Sequence, residues 1–351
     1  MYYSYENKIG GPLTYINTII NSELKKEHEF FTLFQNKAPG GLDISLLKNM
    51  VMEIKRIKPD IVHVHGAQSE GFYGVLAAKL AGKCKIVTTV HGFAFDDSSC
   101  KGLKRLLYKN IVEPFVLRFS DAIYCVCEFA SKRDIVIKNT GKRNCGFIYN
   151  PVPQINISES RDVVRGKMGI LPKDIVIAVS GRVTKDKGFP LIEEIVKELT
   201  KKNITNCKLL VIGDGAYSAT FKNVLSQQIL DNKVIMVGQT THVFDYLNAS
   251  DVFLFPSLHE NLSIALLEAC AIGLPAVVSN VGGNSEIVVN GKSGYVIDDF
   301  SKEKYIDALL KLIENEELRY KMGIFSSINV TEKFSIEKMC EEINEVYFNV
   351  F

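Results

Sequence analysis

The sequence lacks several features that define common protein classes. It contains no tryptophan, so it offers no indole surface for stacking, and its eight cysteines include no C-x-x-C pair. Several of these cysteines lie inside apolar runs, so we expect buried, reduced thiols rather than zinc sites or disulfides. The net charge of +2 gives no general electrostatic argument for nucleic acid, and we expect no nucleic-acid partner.

The sequence also shows no long hydrophobic run and no pattern that predicts a signal peptide. No apolar segment reaches the roughly 18–20 residues that a membrane span requires. The first residues, MYYSYE, have no basic region followed by an apolar one. We therefore expect a cytoplasmic protein whose membrane contact is limited to a peripheral one at the inner face of the plasma membrane.

What the chain does contain is a series of short apolar runs. Its 351 residues, 46% of them hydrophobic, are enough for two domains. Eight runs are continuously apolar, as in parallel strands buried on both faces, and helix-like segments separate many of them. This pattern predicts an α/β fold with doubly wound parallel sheets. The predicted strands lie within residues 60–66, 85–92, 122–128, 174–182, 207–215, 233–239, 251–257 and 275–280, and the predicted helices within 189–202, 218–229, 242–250 and 261–273.

One stretch interrupts this alternation. Residues 150–174 contain three prolines and a polar middle, which is typical of a linker. The interruption predicts an N-terminal domain over residues 1–155 and a second α/β domain over residues 156–334. Residues 335–351 have the apolar spacing of an amphipathic helix. Because open α/β sheets bind ligands beyond the carboxyl ends of their strands, residues that directly follow the apolar runs are the candidates for a site.

The first candidate is the loop SGRVTKDKGFP. A strand ends at Gly181, Arg182 and Lys187 follow, and Pro190 suits the first turn of a helix after Gly188. Two fixed cations in a glycine-flanked loop suit a phosphate or diphosphate. A solvated basic loop is the alternative. The spacing is not that of a P-loop, and no G-x-G-x-x-G motif of a dinucleotide-dependent dehydrogenase follows a strand.

The second candidate is the segment SLHENLSIALLE. We expect Asn261 to cap a helix that begins at Leu262, with the amides of residues 261–264 forming an anion site. Glu260 then lies outside the helix and Glu268 about two turns inside, some 80° around the axis. Such carboxylates do not form the close acid pair of a glycoside hydrolase and instead suit two points along one extended ligand. The alternative is a structural Glu268 that bonds to backbone.

The C-terminal half, over roughly residues 174–300, resembles the retaining glycosyltransferases of family 4. Three motifs carry the resemblance in order: G-R-x-x-x-x-K-G at 181–188, E-x7-E at 260–268 and G-x-P-x-V-x-x-x-x-G-G at 273–283. The resemblance implies a GT-B fold, in which two Rossmann-like, doubly wound domains face each other across a cleft. It implies that Arg182 and Lys187 bind the donor diphosphate and that Glu268 holds the ribose. It also implies positions for the remaining donor residues: Glu260 with Asn261, Leu262 and Ser263 at the donor sugar and phosphates, and Gly238 near the base.

The N-terminal half resembles the family more loosely. The pair Gly10-Gly11 corresponds to the glycines that approach the diphosphate, although the segment before it is short for a full first strand. By the same resemblance His91 lines the reaction centre, and His65 is either a second site residue or an ordinary strand-end histidine. The family's C-terminal helix, here residues 335–351, packs back on the first domain.

The function implied by the resemblance is retaining transfer of a sugar from a nucleotide-diphosphate sugar, most simply a UDP- or GDP-sugar, to an acceptor hydroxyl. The acceptor class is a saccharide or lipid-linked saccharide, as in surface polysaccharide or glycolipid assembly. Catalytic roles fall to His91, Arg182, Lys187 and Glu260. No D-x-D triplet is present, so we expect no metal and no further cofactor. A nucleotide-sugar 2-epimerase of the same fold and a non-catalytic partner of an active transferase are the alternatives.

A basic and apolar segment follows the strand that carries His91. Residues 101–118 combine five cationic side chains with eight large apolar ones. A helix of this composition in the acceptor half could rest on an anionic membrane surface. The alternative is a core helix with a solvated basic edge, interrupted at Pro114.

Overall fold

The computed structural model describes residues 2–5, 11–35, 43–96, 100–202, 204 and 206–351. The chain forms two compact units: Met1–Pro151 together with Phe334–Phe351, and Val152–Lys333. Every strand pairing within the described sheets is parallel. No helix in these ranges combines the length and the apolar character needed to cross a bilayer.

The first unit contains a four-stranded sheet and a two-stranded pair. The four strands lie in the order β3-β4-β5-β6, and β1 pairs with β2. Residues of β4 and β5 are almost entirely buried, as expected for strands covered on both faces. The strands are β1 (Tyr2–Tyr5), β2 (Thr32–Gln35), β3 (Ile61–His65), β4 (Lys85–Val90), β5 (Ala122–Cys125) and β6 (Asn144–Phe147).

Helices connect these strands, and local capping fixes several of their starts. Asp43 accepts a hydrogen bond from the Leu46 amide and so begins the second helix. A π-turn, Tyr108–Val112, joins the fourth and fifth helices directly before Pro114. The helices are α1 (Gly11–Asn21), α2 (Ile44–Ile57), α3 (Ser69–Ala81), α4 (Gly102–Leu107), α5 (Glu113–Phe119), α6 (Glu128–Ser131) and α7 (Asp134–Thr140).

The second unit is a six-stranded doubly wound sheet. Its strand order is β12-β11-β10-β7-β8-β9, so the chain builds outward from β7 first on one side and then on the other. The direction reverses between β7 and β10, and the crevice beyond the carboxyl ends of these two strands is where such sheets bind ligands. The strands are β7 (Ile175–Ser180), β8 (Cys207–Ile212), β9 (Val234–Gly238), β10 (Val252–Phe255), β11 (Ala276–Ser279) and β12 (Gly294–Ile297).

The expected linker is partly helical. A helix, Arg161–Lys167, lies inside residues 150–174, and the guanidinium of Arg161 pairs with Asp251 at 2.6 Å. The second half of this stretch therefore belongs to the second unit rather than to a connection. The helices are α8 (Arg161–Lys167), α9 (Phe189–Lys201), α10 (Ser218–Val224), α11 (Ser226–Leu230), α12 (Val243–Asn248), α13 (Ile264–Ala271), α14 (Asn284–Ile287), α15 (Lys302–Glu314) and α16 (Glu316–Lys333).

The last helix, α17 (Ile336–Asn349), returns to the first unit. Ser335 caps its start by accepting from the Lys338 amide at 3.1 Å. Its apolar face, which includes Met339 and Ile343, joins the buried cluster formed by Tyr15, Val87 and neighbouring residues. Burial of this amphipathic face is what holds the helix in place.

All eight predicted strands are present, within three residues of their expected ends. Four further strands lie outside the eight predicted runs, and of these only a short first strand was expected, from the family resemblance. They are β1, β2, β6 and β12, each four residues long.

Candidate active site

The loop after β7 and the loop after β10 touch at the switch point of the second sheet. Lys185–Lys187 forms a 3-10 turn that ends at Gly188. Gly188 has φ +78°, and a Cβ there would lie 2.0 Å from the Pro256 carbonyl oxygen. Only glycine permits both the left-handed backbone and the close approach. The Leu258 amide donates to the Asp186 carbonyl at 2.8 Å, which fixes the two loops together.

The packing of these two loops brings two predicted site residues, Lys187 and Glu260, into direct contact. The Lys187 ammonium lies 2.5 Å from Glu260 Oε1, and the two side chains are only 19% and 9% exposed. A third loop closes over Glu260, because a Cβ at Gly282 would lie 2.0 Å from the Glu260 carbonyl oxygen. The backbone therefore holds a half-buried cation and a buried carboxylate in one place.

Arg182 is not part of this pair. Its side chain is 72% exposed and approaches the Asp186 carboxylate at 3.9 Å. No hydrogen bond or ion pair in the described chain joins it to Lys187 or Glu260. A long, exposed guanidinium can still reorient toward an anionic ligand, because solvent holds it only weakly.

The helix after Glu260 begins later than expected. Its first residue is Ile264, and the Ser263 hydroxyl caps it by accepting from the Leu266 amide at 3.3 Å. The prediction that Asn261 caps a helix starting at Leu262 is wrong, because Ser263 already has the extended backbone of a cap. The amides of Leu262, Ser263 and Ile264 donate to no residue of the described chain, so an anion can bind there.

Glu268 lies just over one turn inside this helix rather than two. It is half-buried, and burial raises the pKa of its carboxyl to about 7. No hydrogen bond or ion pair joins its carboxylate to another residue within the ranges that the structure describes. The backbone contacts that a purely structural Glu268 would make are therefore not seen. A largely desolvated carboxylate that pairs with no described residue is well suited to accept from a ligand.

Three glycines mark the adjoining strand ends. The Gly213 amide donates to the Gly238 carbonyl at 2.8 Å, and a Cβ at Gly213 would meet the Gly181 carbonyl oxygen at 2.0 Å. The ends of β7, β8 and β9 are thus side by side. Gly238, with φ +80°, lies beside these strand ends and leaves its backbone uncovered by a side chain.

The first unit has its own polar cluster, at the carboxyl ends of β3 and β4. His65 Nδ1 lies 3.3 Å from His91 Nε2, so one imidazole donates to the other. Burial lowers the pKa of His91 to about 3 and also holds the pKa of His65 well below its usual value. Both rings are therefore neutral at pH 7. The contact with His91 supports the view of His65 as part of this cluster.

Residues that are distant in sequence complete the cluster. The Tyr15 ring lies edge-on to His91, with centroids 5.1 Å apart. Tyr15 is one turn into α1, which begins at Gly11, whereas Gly10 lies outside the described residues. On the other side of His65, the His63 ring stacks on it at 4.3 Å and bonds to the Tyr347 hydroxyl at 2.7 Å. Sequence patterns did not indicate Tyr15 or Tyr347, because only the fold brings these rings to the histidines.

The sequence matches known family models in both halves. The model for glycosyl transferases group 1 covers residues 160–326, and the model named glycosyl transferase 4-like covers residues 19–126. The UDP-Gal:alpha-D-GlcNAc-diphosphoundecaprenol alpha-1,3-galactosyltransferase of Escherichia coli is 30% identical to the chain, over 88% of the chain and 81% of that protein. The chain belongs to the glycosyltransferases of family 4. It is a glycosyltransferase enzyme with the GT-B fold.

Other proteins support this assignment. The capsular polysaccharide biosynthesis glycosyltransferase CapM of Staphylococcus aureus is 27% identical over 94% of the chain and 88% of its own length. Among solved structures, HepE of Anabaena in complex with UDP-glucose has a TM-score of 0.81 at 16% identity and covers 99% of both chains. At that identity the likeness concerns the fold.

Proposed function

We propose that this glycosyltransferase moves a sugar from a UDP-sugar to a saccharide or lipid-linked saccharide with retention at the anomeric carbon, in surface polysaccharide or glycolipid assembly. The Escherichia coli relative is named for a UDP-Gal donor and a diphosphoundecaprenol acceptor, and HepE was solved with UDP-glucose. These names favour uridine over guanosine as the base.

The observation that carries the proposal is the Lys187–Glu260 pair at the switch point of the second sheet. Breaking the sugar–phosphate bond develops negative charge on the departing diphosphate, so stabilising that charge is the main electrostatic task. Lys187, the exposed Arg182 and the amides of Leu262–Ile264 are the proposed donors to the diphosphate oxygens. Glu260 holds the Lys187 ammonium in position and faces the sugar.

The nucleoside is proposed to lie farther along the same helix and sheet edge. Glu268 is the carboxylate one turn beyond the helix start, and a carboxylate can accept from two vicinal ribose hydroxyls at once. Gly238, at the end of β9, leaves room for the base beside the backbone. The ribose hydroxyls would supply hydrogen bonds that the Glu268 carboxylate does not make to any described residue of the chain.

His91 is proposed to orient the reacting groups by hydrogen bonding. With a pKa near 3, its imidazole cannot serve as a charged acid at neutral pH. It can donate one hydrogen bond and accept another, and His65 determines which nitrogen carries the proton. Deprotonation of the acceptor hydroxyl then falls to the leaving phosphate on the same face of the sugar.

Nucleotide binding and product stereochemistry test this function. In a thermal-shift series UDP should stabilise the protein more than GDP or ADP, because the proposed donor is a UDP-sugar. A ligand at about 100 times its Kd adds about 2.7 kcal/mol to the free energy of unfolding, which such a series detects. A panel of UDP-sugars with a saccharide acceptor should then give a product whose anomeric coupling in NMR matches the donor. Inversion would overturn retention. Epimerised donor formed without acceptor would favour the 2-epimerase.

We also propose that the first unit contacts an anionic membrane through α4 and the π-turn. Neither element buries a residue. Leu103 is 85% exposed, and Leu106 and Ile111 are more than half exposed. Lys101 and Lys104 lie on the same short segment. The second half of the basic and apolar segment, which lies in α5, differs from the first. Val116 and Leu117 are fully buried there, so this half packs as a core helix and is not available to a membrane.

A further inference from the structure

We propose that Glu113 is a positioning residue for sugar transfer, which fixes the loop that follows His91 and through it the His91 imidazole. The proposal rests on the proposed role of His91 at the reaction centre. Glu113 lies 22 residues after His91 in the sequence, and no sequence motif indicated it.

The Glu113 side chain contacts the loop after His91 directly, in the buried interior. Glu113 is 0% exposed, and its Oε1 accepts a hydrogen bond from the Ala94 amide at 2.5 Å. Ala94 begins the short 3-10 turn Ala94–Asp96, three residues after His91. A carboxylate is rarely buried without a cation or several donors, since desolvation disfavours its charged form. Here burial raises the pKa of Glu113 to about 7.

The second oxygen of the Glu113 carboxylate gives further support for a functional role. Glu113 Oε2 is buried and has no hydrogen-bond partner in the described part of the chain. A side chain selected only to cap the Ala94 amide would not need this second polar atom, which weakens the core. An unsatisfied buried group in a native protein calls for an explanation, and a positioning role for Glu113 supplies one.

The local backbone structure determines the position of the Glu113 carboxylate. The Glu113 amide donates to the Tyr108 carbonyl across the π-turn, and Pro114 follows. Proline has no N–H and its ring clashes with the carbonyl four residues earlier, so the wider turn accommodates it. The widened turn ends at Glu113 itself and directs it under the His91 loop.

The outer side of the same loop is held by Arg133. Its guanidinium pairs with the Asp96 carboxylate at 2.7 Å and lies 4.8 Å from the centroid of the Phe93 ring. The loop is therefore fixed at two points, from inside by Glu113 and from outside by Arg133. Its shape is over-determined for an ordinary surface connection, as expected of a preorganised site.

Turnover and nucleotide binding test the proposal in the intact chain. Glu113→Ala should lower turnover by roughly 10–100-fold at saturating substrates, the range for misplacing a reacting group by a fraction of an ångström. UDP affinity by calorimetry should stay unchanged. Glu113→Gln should retain most of the turnover, because its amide oxygen accepts the same bond. Glu113→Asp, one methylene shorter, should behave like alanine.

The matched control is Asp121. Its carboxylate accepts from the Ile86 amide at 2.8 Å, at the opposite end of the strand that leads to His91. Asp121→Ala should lower the melting temperature without reducing the turnover of the folded protein. Equal loss of turnover in the Asp121 and Glu113 alanine variants, in proportion to their melting temperatures, would reduce Glu113 to a structural residue. Wild-type turnover in folded Glu113→Ala would do the same.

An NMR measurement that does not depend on enzyme activity separates the positioning role of Glu113 from the proposed function. The six histidines can be followed by imidazole NMR, with His91→Gln assigning one signal. Glu113→Ala, or Glu113→Asp if the alanine variant does not fold, should shift the His91 signal, and Glu113→Gln should not. An unmoved His91 signal overturns the positioning role. A wild-type protein that transfers no sugar overturns the proposed function and leaves this readout intact.

Discussion

The Lys187 ammonium lies 2.5 Å from Glu260 Oε1, and both side chains are largely withdrawn from water. The lysine that the sequence assigns to the donor phosphates is therefore already paired in the free protein. In the proposed complex, the diphosphate would add a second anion to this cation instead of filling an empty charge site. The exposed Arg182 and the helix-start amides are the groups proposed to make that binding favourable.

We expect Lys187→Ala to lower turnover by about 10²–10³-fold, the range for removing one preorganised donor at a developing anion. The substitution also leaves the Glu260 carboxylate buried without its cation, so the melting temperature should fall. Steady-state kinetics and thermal melts on the same preparation measure both effects.

Two controls separate catalysis from stability in this experiment. The double variant Lys187→Ala/Glu260→Gln removes the unpaired charge and should recover stability without recovering turnover. Lys185→Ala removes an exposed cation from the same loop and should remain near wild-type turnover. If the double variant recovers both properties, Lys187 is structural and the diphosphate assignment is wrong.

Glu268→Gln keeps the shape of the side chain and removes a charged acceptor. We expect UDP affinity to fall by about 1.5–3 kcal/mol, the usual contribution of a charge-assisted hydrogen bond. Isothermal calorimetry at pH 8 measures it. Unchanged affinity together with a melting temperature several degrees lower would show that Glu268 supports the fold instead of the ribose.

The raised pKa of Glu268, about 7, predicts a pH dependence. In the proposed complex the carboxylate is the form that accepts from both ribose hydroxyls, so protonation should oppose nucleotide binding. UDP affinity should therefore decline as the pH falls from 8 to 6. In Glu268→Gln the decline should be absent, and a decline of the same size in both proteins would assign it to another group.

The absence of a D-x-D triplet and the presence of Lys187 beside the helix start predict activity without a metal. Transfer in excess EDTA should stay close to transfer with magnesium. The measurement is a direct comparison of initial rates on metal-stripped enzyme. Loss of activity under chelation that manganese or magnesium restores would refute the prediction.

Liposome co-sedimentation tests the membrane surface. The protein should bind vesicles that contain phosphatidylglycerol but not neutral phosphatidylcholine vesicles, and added salt should weaken binding. Replacement of Lys101, Lys104 and Arg105 by Glu should abolish it, since each basic residue contributes about 1 kcal/mol near an anionic surface.

The control for this experiment changes the same charge on another face. Lys197, Lys201 and Lys202 are exposed residues at the end of α9 in the second unit. Their replacement by Glu should leave vesicle binding intact. Absence of sedimentation with anionic vesicles at low salt would exclude direct contact through α4.

Local patterns in the sequence were sufficient for the main strands and for the turn that leads into α9. Strands buried on both faces require continuous apolar runs, and the eight such runs became strands β3–β5 and β7–β11. Glycine at 188, followed by Pro190, predicted the turn into α9, because both residues restrict or permit specific backbone angles. The helix start at Ile264 was misplaced because Asn261 and Ser263 are both good caps, and only the surrounding loops select Ser263.

The sequence by itself determined which residue types stand at the carboxyl ends of the strands, because backbone and burial preferences are local. Tertiary structure alone decided which of these residues meet. Glu260 reaches Lys187 across 73 residues, His65 reaches His91 across 26, and Tyr347 reaches His63 across 284. Such contacts depend on strand order and on where the last helix returns, which no short pattern encodes. Burial of Glu113 beneath the His91 loop belongs to the same class, because a carboxylate's cost and purpose are visible only once its surroundings are folded.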